Sequence, residues 1–206
     1  MFRILCGSIG VTRQHDEWIT FGEEFLLTGL AGLTLVFGGA ASGKSRFGED
    51  LVLNTGLSPV YLATAQAYDA EMEVKIAKHK SARAAAQWRT VEVPTDIPAA
   101  LTQLHKSEAV LIDCATLWLA NLGMAKRDWR AEWAALAHAI ADCPAPVVII
   151  SNELGMGVVP DHPLSRAFRQ DQGELNQAIA ATADLVVMVA AGLPLVLKGQ
   201  LPKGQG

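Results

Sequence analysis

The segment Gly38-Gly39-Ala40-Ala41-Ser42-Gly43-Lys44-Ser45 constrains this chain more than any other. The apolar run Leu33 to Phe37 precedes it and the amphipathic stretch Lys44 to Asn54 follows. The pattern G-x-x-x-x-G-K-S between a buried strand and a helix predicts a phosphate-binding loop. Glycines let successive backbone N–H groups turn inward around phosphate oxygens. The next helix presents its positive N-terminal end to the same anion. In this arrangement Lys44 reaches the β- and γ-phosphates, and the Ser45 hydroxyl serves Mg²⁺. Asp113 is the second metal candidate, because it closes the run Val110-Leu111-Ile112 as an acid at the end of a buried strand beside the loop. Alone, an acid in that place reads as a helix cap or turn residue.

The rest of the chain alternates short apolar runs with longer amphipathic ones. Strands are expected at Leu33 to Phe37, Val60 to Ala63, Ala109 to Ile112, Val147 to Ile150, Leu185 to Val189 and Leu195 to Leu197. Helices are expected at Lys44 to Asn54, Asp69 to Arg83, Leu117 to Leu122, Trp129 to Ala141 and Glu174 to Ala183. Strands that are apolar throughout imply burial on both faces. Alternation with helices then implies a mainly parallel sheet between helical layers. The fold class is therefore α/β, a three-layer P-loop NTPase fold of RecA-like type.

Residues 33–199 carry this pattern as one domain. Residues 1–32 lack periodicity and are expected to form a loosely ordered amino-terminal extension, or to reflect an upstream start of translation. Residues 200–206 are expected to form a flexible tail. A length of 206 residues suits a single core. The net charge of -4 gives no reason to invoke nucleic acid or a membrane surface. The longest apolar stretch, Phe25 to Ala41, is broken by Gly29, Gly32, Gly38 and Gly39, so no membrane span is expected. Cys6, Cys114 and Cys143 share no metal-ligand spacing and read as free thiols of a cytoplasmic protein.

A phosphate loop alone does not specify a reaction. Further segments narrow it: Asp69-Ala70-Glu71-Met72, His79-Lys80-Ser81-Ala82-Arg83, Trp88-Arg89-Thr90-Val91-Glu92, Asp113-Cys114-Ala115-Thr116-Leu117-Trp118-Leu119 with Asn121, Ser151-Asn152-Glu153-Leu154-Gly155-Met156-Gly157-Val158-Val159-Pro160, Arg166-Ala167-Phe168-Arg169, Gly173 and Asn176-Gln177. This ordered set resembles the bifunctional adenosylcobinamide kinase / adenosylcobinamide-phosphate guanylyltransferase family of cobalamin biosynthesis, from Leu33 to Gly199.

The resemblance implies two reactions. ATP or GTP phosphorylates the aminopropanol hydroxyl of adenosylcobinamide. GTP then guanylylates a histidine, and GMP passes to the phosphorylated corrinoid to give adenosylcobinamide-GDP. The family's H-x-x-x-R segment places that nucleophile at His79. Lys75, Lys78, Lys80 and Arg83 surround it in sequence, which disfavours imidazolium and keeps the ring nucleophilic. The same cations could hold triphosphate oxygens. Without the resemblance, this would read as a solvated basic helix face.

By the same resemblance, Glu92 accepts from the two N–H groups on one edge of guanine, Lys80, Ser81, Ala82 and Arg83 line the nucleotide site, and Thr64 is a candidate polar contact. Asn152 and Glu153 follow a buried strand, where substrate contacts lie in open α/β folds. Arg166 and Arg169 are candidates for phosphate or corrinoid contact, or for a solvated helix face. Trp88 and Trp118 read as core, with apolar surface for the corrin ring as the alternative. A homo-oligomer, by family likeness a trimer, is expected. Three departures stand out: Ala41 where the family commonly has arginine, Ala84 where it often has proline, and Gln170 where an aspartate is frequent. The competing readings are a P-loop kinase of another small alcohol, with His79 incidental, and a non-catalytic nucleotide-dependent regulator.

Overall fold

A computed structural model describes residues 29–30, 32–66 and 87–202. The expected helix Asp69 to Arg83, with His79, Lys80, Ser81, Ala82 and Arg83, lies outside the described residues, as do residues 1–28.

The elements follow in the order β1 Leu33–Gly38, α1 Lys44–Leu53, β2 Ser58–Ala63, β3 Arg89–Glu92, α2 Ile97–Leu101, β4 Glu108–Asp113, α3 Ala115–Met124, α4 Trp129–Asp142, β5 Val147–Asn152, α5 Pro163–Thr182, β6 Leu185–Ala190 and β7 Leu193–Lys198. The strands form one sheet in the order β3-β2-β4-β5-β1-β6-β7. All neighbours pair in parallel except β6 with β7. The expected α/β class with a mainly parallel sheet is thus the one observed.

The continuous apolar strands are buried on both faces, as their composition implies. Alternate residues feed two separate cores. Leu33, Leu35, Val60, Leu62, Val110, Ile112, Val147 and Ile149 join one, with Ile97, Trp118, Leu136, Leu175 and Ile179 from α2 to α5. Val36, Tyr61, Leu111, Val148, Ile150 and Val187 join the other, with Leu51 and Val52 from α1. The period-2 side-chain alternation of a strand makes this division unavoidable once both faces are covered.

Three points differ from the sequence reading. First, β4 is not the immediate neighbour of β1, because β5 lies between them. Asp113 is therefore level with Val36, through Ile150, but two strands away. That is about 10 Å across the sheet. Second, α5 begins at Pro163, well before the expected Glu174. Its inner stripe includes the buried polar residues Gln172 and Asn176, which interrupt the apolar period. Third, β3 and α2 were not anticipated. β3 has four residues at the sheet edge, with exposed Arg89 and Glu92 at its ends. α2 has five residues and a proline in its first turn.

Candidate active site

Every parallel strand ends at one edge of the sheet, and the phosphate loop sits there. Gly38 ends β1, and the loop turns into α1 at Gly43, whose φ of 94° lies in the left-handed region that favours glycine. Phe47 N donates to Gly43 O at 3.0 Å, which starts the helix. Gly38 is required by close approach: a Cβ there would meet the Val189 carbonyl oxygen at 2.3 Å and Ser42 Oγ at 2.8 Å. Lys44 Nζ donates to Gly39 O at 3.0 Å, so its ammonium lies across the loop.

Two neighbouring segments hold this loop through main-chain bonds. Glu153 N, just past β5, donates to Gly38 O at 3.0 Å. Gly192 N, in the β6–β7 turn, donates to Ser42 O at 2.8 Å. Ala41 adopts a φ of 55° and is exposed. An alanine here places no cation at the loop mouth.

Asp113 is half-buried at the tip of β4, where Tyr61 Oη donates to its Oδ2 at 2.6 Å. The adjoining Cys114 is buried. Burial, and then the negative charge of Asp113, push its thiol up to about 12, against a smaller downward pull from Lys44. Ser45 and Asp113 are hard oxygen donors of the type that Mg²⁺ takes when phosphate and water complete its shell.

Thr64 is fully buried. Its Oγ1 donates to Cys114 O at 2.9 Å and accepts from Cys114 N at 2.7 Å. Its hydroxyl is thus committed to joining the ends of β2 and β4, which changes its reading from ligand contact to support. Asn121 Nδ2 ties the same corner by donating to Thr64 O at 2.8 Å and Pro94 O at 2.9 Å.

Glu92 ends β3 and stands opposite Ala63, which in turn stands opposite Asp113. Glu92, Ala63 and Asp113 thus form one row along the site edge. Four strand spacings separate β3 from β1, or about 19 Å. A triphosphate on the loop with its base near Glu92 has to lie along the sheet edge, over β5, β4 and β2.

The sequence reading missed the clamp on the loop after β5. Arg166 Nη1 donates to Pro160 O at 3.0 Å and Asp161 O at 2.7 Å. Arg169 donates to Val158 O at 3.4 Å and also to Gly155 O. Deeper along α5, Gln172 Nε2 donates to Ser151 Oγ and Asn176 Oδ1, both at 3.0 Å. Ser151 Oγ donates to Asn176 Oδ1 at 2.6 Å, and Asn176 Nδ2 donates to Asn152 O at 3.0 Å. Thr116 Oγ1 accepts from both Asn152 N at 3.1 Å and Nδ2 at 3.0 Å. One polar stripe of α5, at three- and four-residue spacing, therefore holds the tip of β5 and the whole loop beyond it. Polar residues in a helix core stripe, Gln172 and Asn176, were the available signal. Trp88 and Trp118 are core residues, as expected: Trp88 meets Tyr61 edge-on at 5.7 Å, and Trp118 Nε1 donates to Thr95 O at 2.8 Å.

Comparison with known proteins agrees with this geometry. The family model described as cobinamide kinase / cobinamide phosphate guanyltransferase matches residues 34–197. The bifunctional adenosylcobalamin biosynthesis protein CobP of Pseudomonas aeruginosa is 44% identical over 169 residues, covering 81% of this chain and 97% of that protein. The corresponding protein CobU of Salmonella typhimurium is 39% identical over 186 residues, covering 81% and 99%. The crystal structure of the RadB recombinase superimposes with a TM-score of 0.51 at 15% identity, over 86% of each chain, which is a likeness of fold alone. With a family match over residues 34–197 and relatives at 39–44% identity, this chain belongs to the cobinamide kinase / cobinamide phosphate guanyltransferase family.

Proposed function

We propose that this protein is a bifunctional enzyme of cobalamin biosynthesis, an adenosylcobinamide kinase and adenosylcobinamide-phosphate guanylyltransferase. The observation that carries it is the complete phosphate loop, Gly38 to Ser45, inside a family match over residues 34–197.

In the kinase step the aminopropanol oxygen of adenosylcobinamide attacks the γ-phosphorus of ATP or GTP. The bond to the β–γ bridging oxygen breaks, the nucleoside diphosphate leaves, and the hydroxyl proton is released. The backbone N–H groups of residues 39–45 and Lys44 stabilise the charge on the transferring group. In the second step a ring nitrogen of His79 attacks the α-phosphorus of GTP and pyrophosphate leaves. A phosphate oxygen of the phosphorylated corrinoid then attacks that phosphorus, the P–N bond breaks, and adenosylcobinamide-GDP forms. Both steps place a triphosphate on the same loop. Lys80, Ser81, Ala82 and Arg83 accompany His79 along the nucleotide, and Glu92 receives the guanine. Ser45 and Asp113 would hold Mg²⁺, which would neutralise negative charge on the triphosphate. The protein acts in the cytoplasm as a homo-oligomer, by family likeness a trimer, whose mass light scattering would measure.

The test is to incubate the protein with GTP labelled on the α-phosphate and trap protein-bound label. Acid-labile label that disappears in His79→Ala supports the guanylyl-enzyme. Phosphorylation of adenosylcobinamide without any label would reduce the protein to a kinase. Nucleotide binding without turnover of any corrinoid would make it a regulator.

A further inference from the structure

The loop after β5 exposes more apolar surface than an isolated surface residue accounts for. Met156 is 76% exposed, Val158 95%, Val159 62% and Leu164 74%. Beside them is a groove of about 440 Å³ whose lining includes Leu154, Pro160 and Phe168. Scattered single apolar residues on a surface are ordinary, whereas a contiguous set marks a contact. Arg166 and Arg169 fasten the loop at both ends, so this apolar set stands on a held frame.

Position indicates what the set meets. The loop leaves the sheet where Glu153 N donates to Gly38 O at 3.0 Å, beside the phosphate loop. A second exposed apolar set, Leu193, Leu195 and Leu197, lies on β7. β7 runs antiparallel, from the turn against Ser42 down to Gly199, where a Cβ would meet the Asp184 carbonyl at the start of β6. Most of that set therefore flanks the sheet and ends at its far edge. The 154–168 set alone lies wholly at the edge where phosphoryl transfer takes place.

We infer that Met156, Val158, Val159 and Leu164, with the adjoining groove, are the docking surface for the corrin ring of the acceptor. The inference rests on the proposed function. A corrin is a broad, methyl-studded macrocycle, and its reactive hydroxyl is at the end of a flexible arm. Such a substrate needs an apolar platform within an arm's length of the γ-phosphate, and this loop starts one hydrogen bond from the phosphate loop.

The experiment is equilibrium dialysis of the full chain against cobinamide, with nucleotide affinity measured in parallel. Val158→Asp and Met156→Gln are compared with wild type and with Leu195→Asp on β7. Loss of one such apolar side chain scales to about a tenfold weakening of cobinamide binding. The expected result is that weakening in both loop variants, unchanged nucleotide affinity, and no change in Leu195→Asp. Unchanged cobinamide binding in both loop variants, with wild type binding normally, overturns the inference. So does a shift in oligomeric mass in Val158→Asp without loss of cobinamide, which would assign the surface to a second copy. Failure of wild type to bind cobinamide at all would instead strike at the proposed function.

Discussion

Two loops leave adjacent strands at the same edge of the sheet, and opposite means hold them. The 39–45 loop after β1 is held by main chain: Glu153 N on Gly38 O, Gly192 N on Ser42 O, and Phe47 N on Gly43 O. The 153–162 loop after β5 is held by side chains of α5, from Arg166 through Asn176. A backbone-held loop demands glycine where chains approach or φ is positive, so it leaves a motif. A side-chain-held loop depends also on residues outside it, here on the following helix. The first suits a fixed anion. The second suits a surface shaped to a particular acceptor.

The largest test of this contrast is Lys44→Ala. Both reactions should fall by about a hundredfold or more, read as kcat/KM for phosphorylation and as label from GTP. Loss of one alone would mean that the two reactions do not share a triphosphate site.

Glycine replacements probe the contrast directly. Gly38→Ala pushes a methyl into the Val189 carbonyl, which belongs to the sheet and has no room to move. It should destabilise by about 1–3 kcal/mol in urea unfolding and weaken nucleotide binding. Gly157→Ala, in the other loop, meets nothing within 4 Å and should stay within about 0.5 kcal/mol of wild type. Equal effects would erase the distinction between the loops.

Asn176→Leu attacks the side-chain clamp at its root. It strips partners from Ser151 Oγ and Asn152 O in a buried setting, at a cost of about 1–3 kcal/mol. Arg169→Ala acts at the exposed end and should cost about 1 kcal/mol or less. It should nevertheless raise the cobinamide KM and speed proteolysis within residues 153–162, with the nucleotide KM unchanged.

The smallest effect concerns pH. Burial raises the Cys114 thiol from 9.0 to about 12 in the folded chain. Between those values the unfolded chain loses its proton and the folded chain keeps it, so this stabilisation is whole below pH 9 and declines as pH climbs towards 12. At pH 8 the native thiol should resist iodoacetamide, with alkylation appearing only in denaturant, as peptide mapping of Cys114 would show.

Much of the fold was legible because strands buried on two faces must be apolar throughout, and six of the observed strands overlap expected ones. β3 was not, because an exposed edge strand carries charges such as Arg89 and Glu92. The first half of α5 escaped notice because most of it is exposed and its one buried position, Gln172, is polar. In the site, Lys44 and Ser45 could be read from spacing. The commitment of the Thr64 hydroxyl to Cys114 was not legible, because no local spacing joins residues so far apart in the chain.

Sequence by itself determined the phosphate-loop pattern from Gly38 to Ser45, since that requirement is written in consecutive residues joined by local backbone geometry. Only the tertiary structure decided that β5 separates Asp113 from β1, that Glu92 lies at the far end of the same edge, and that the helix stripe Arg166, Arg169, Gln172 and Asn176 shapes the second loop. Those relations depend on strand order and long-range hydrogen bonds, and no local spacing in a chain records which strand will lie beside which.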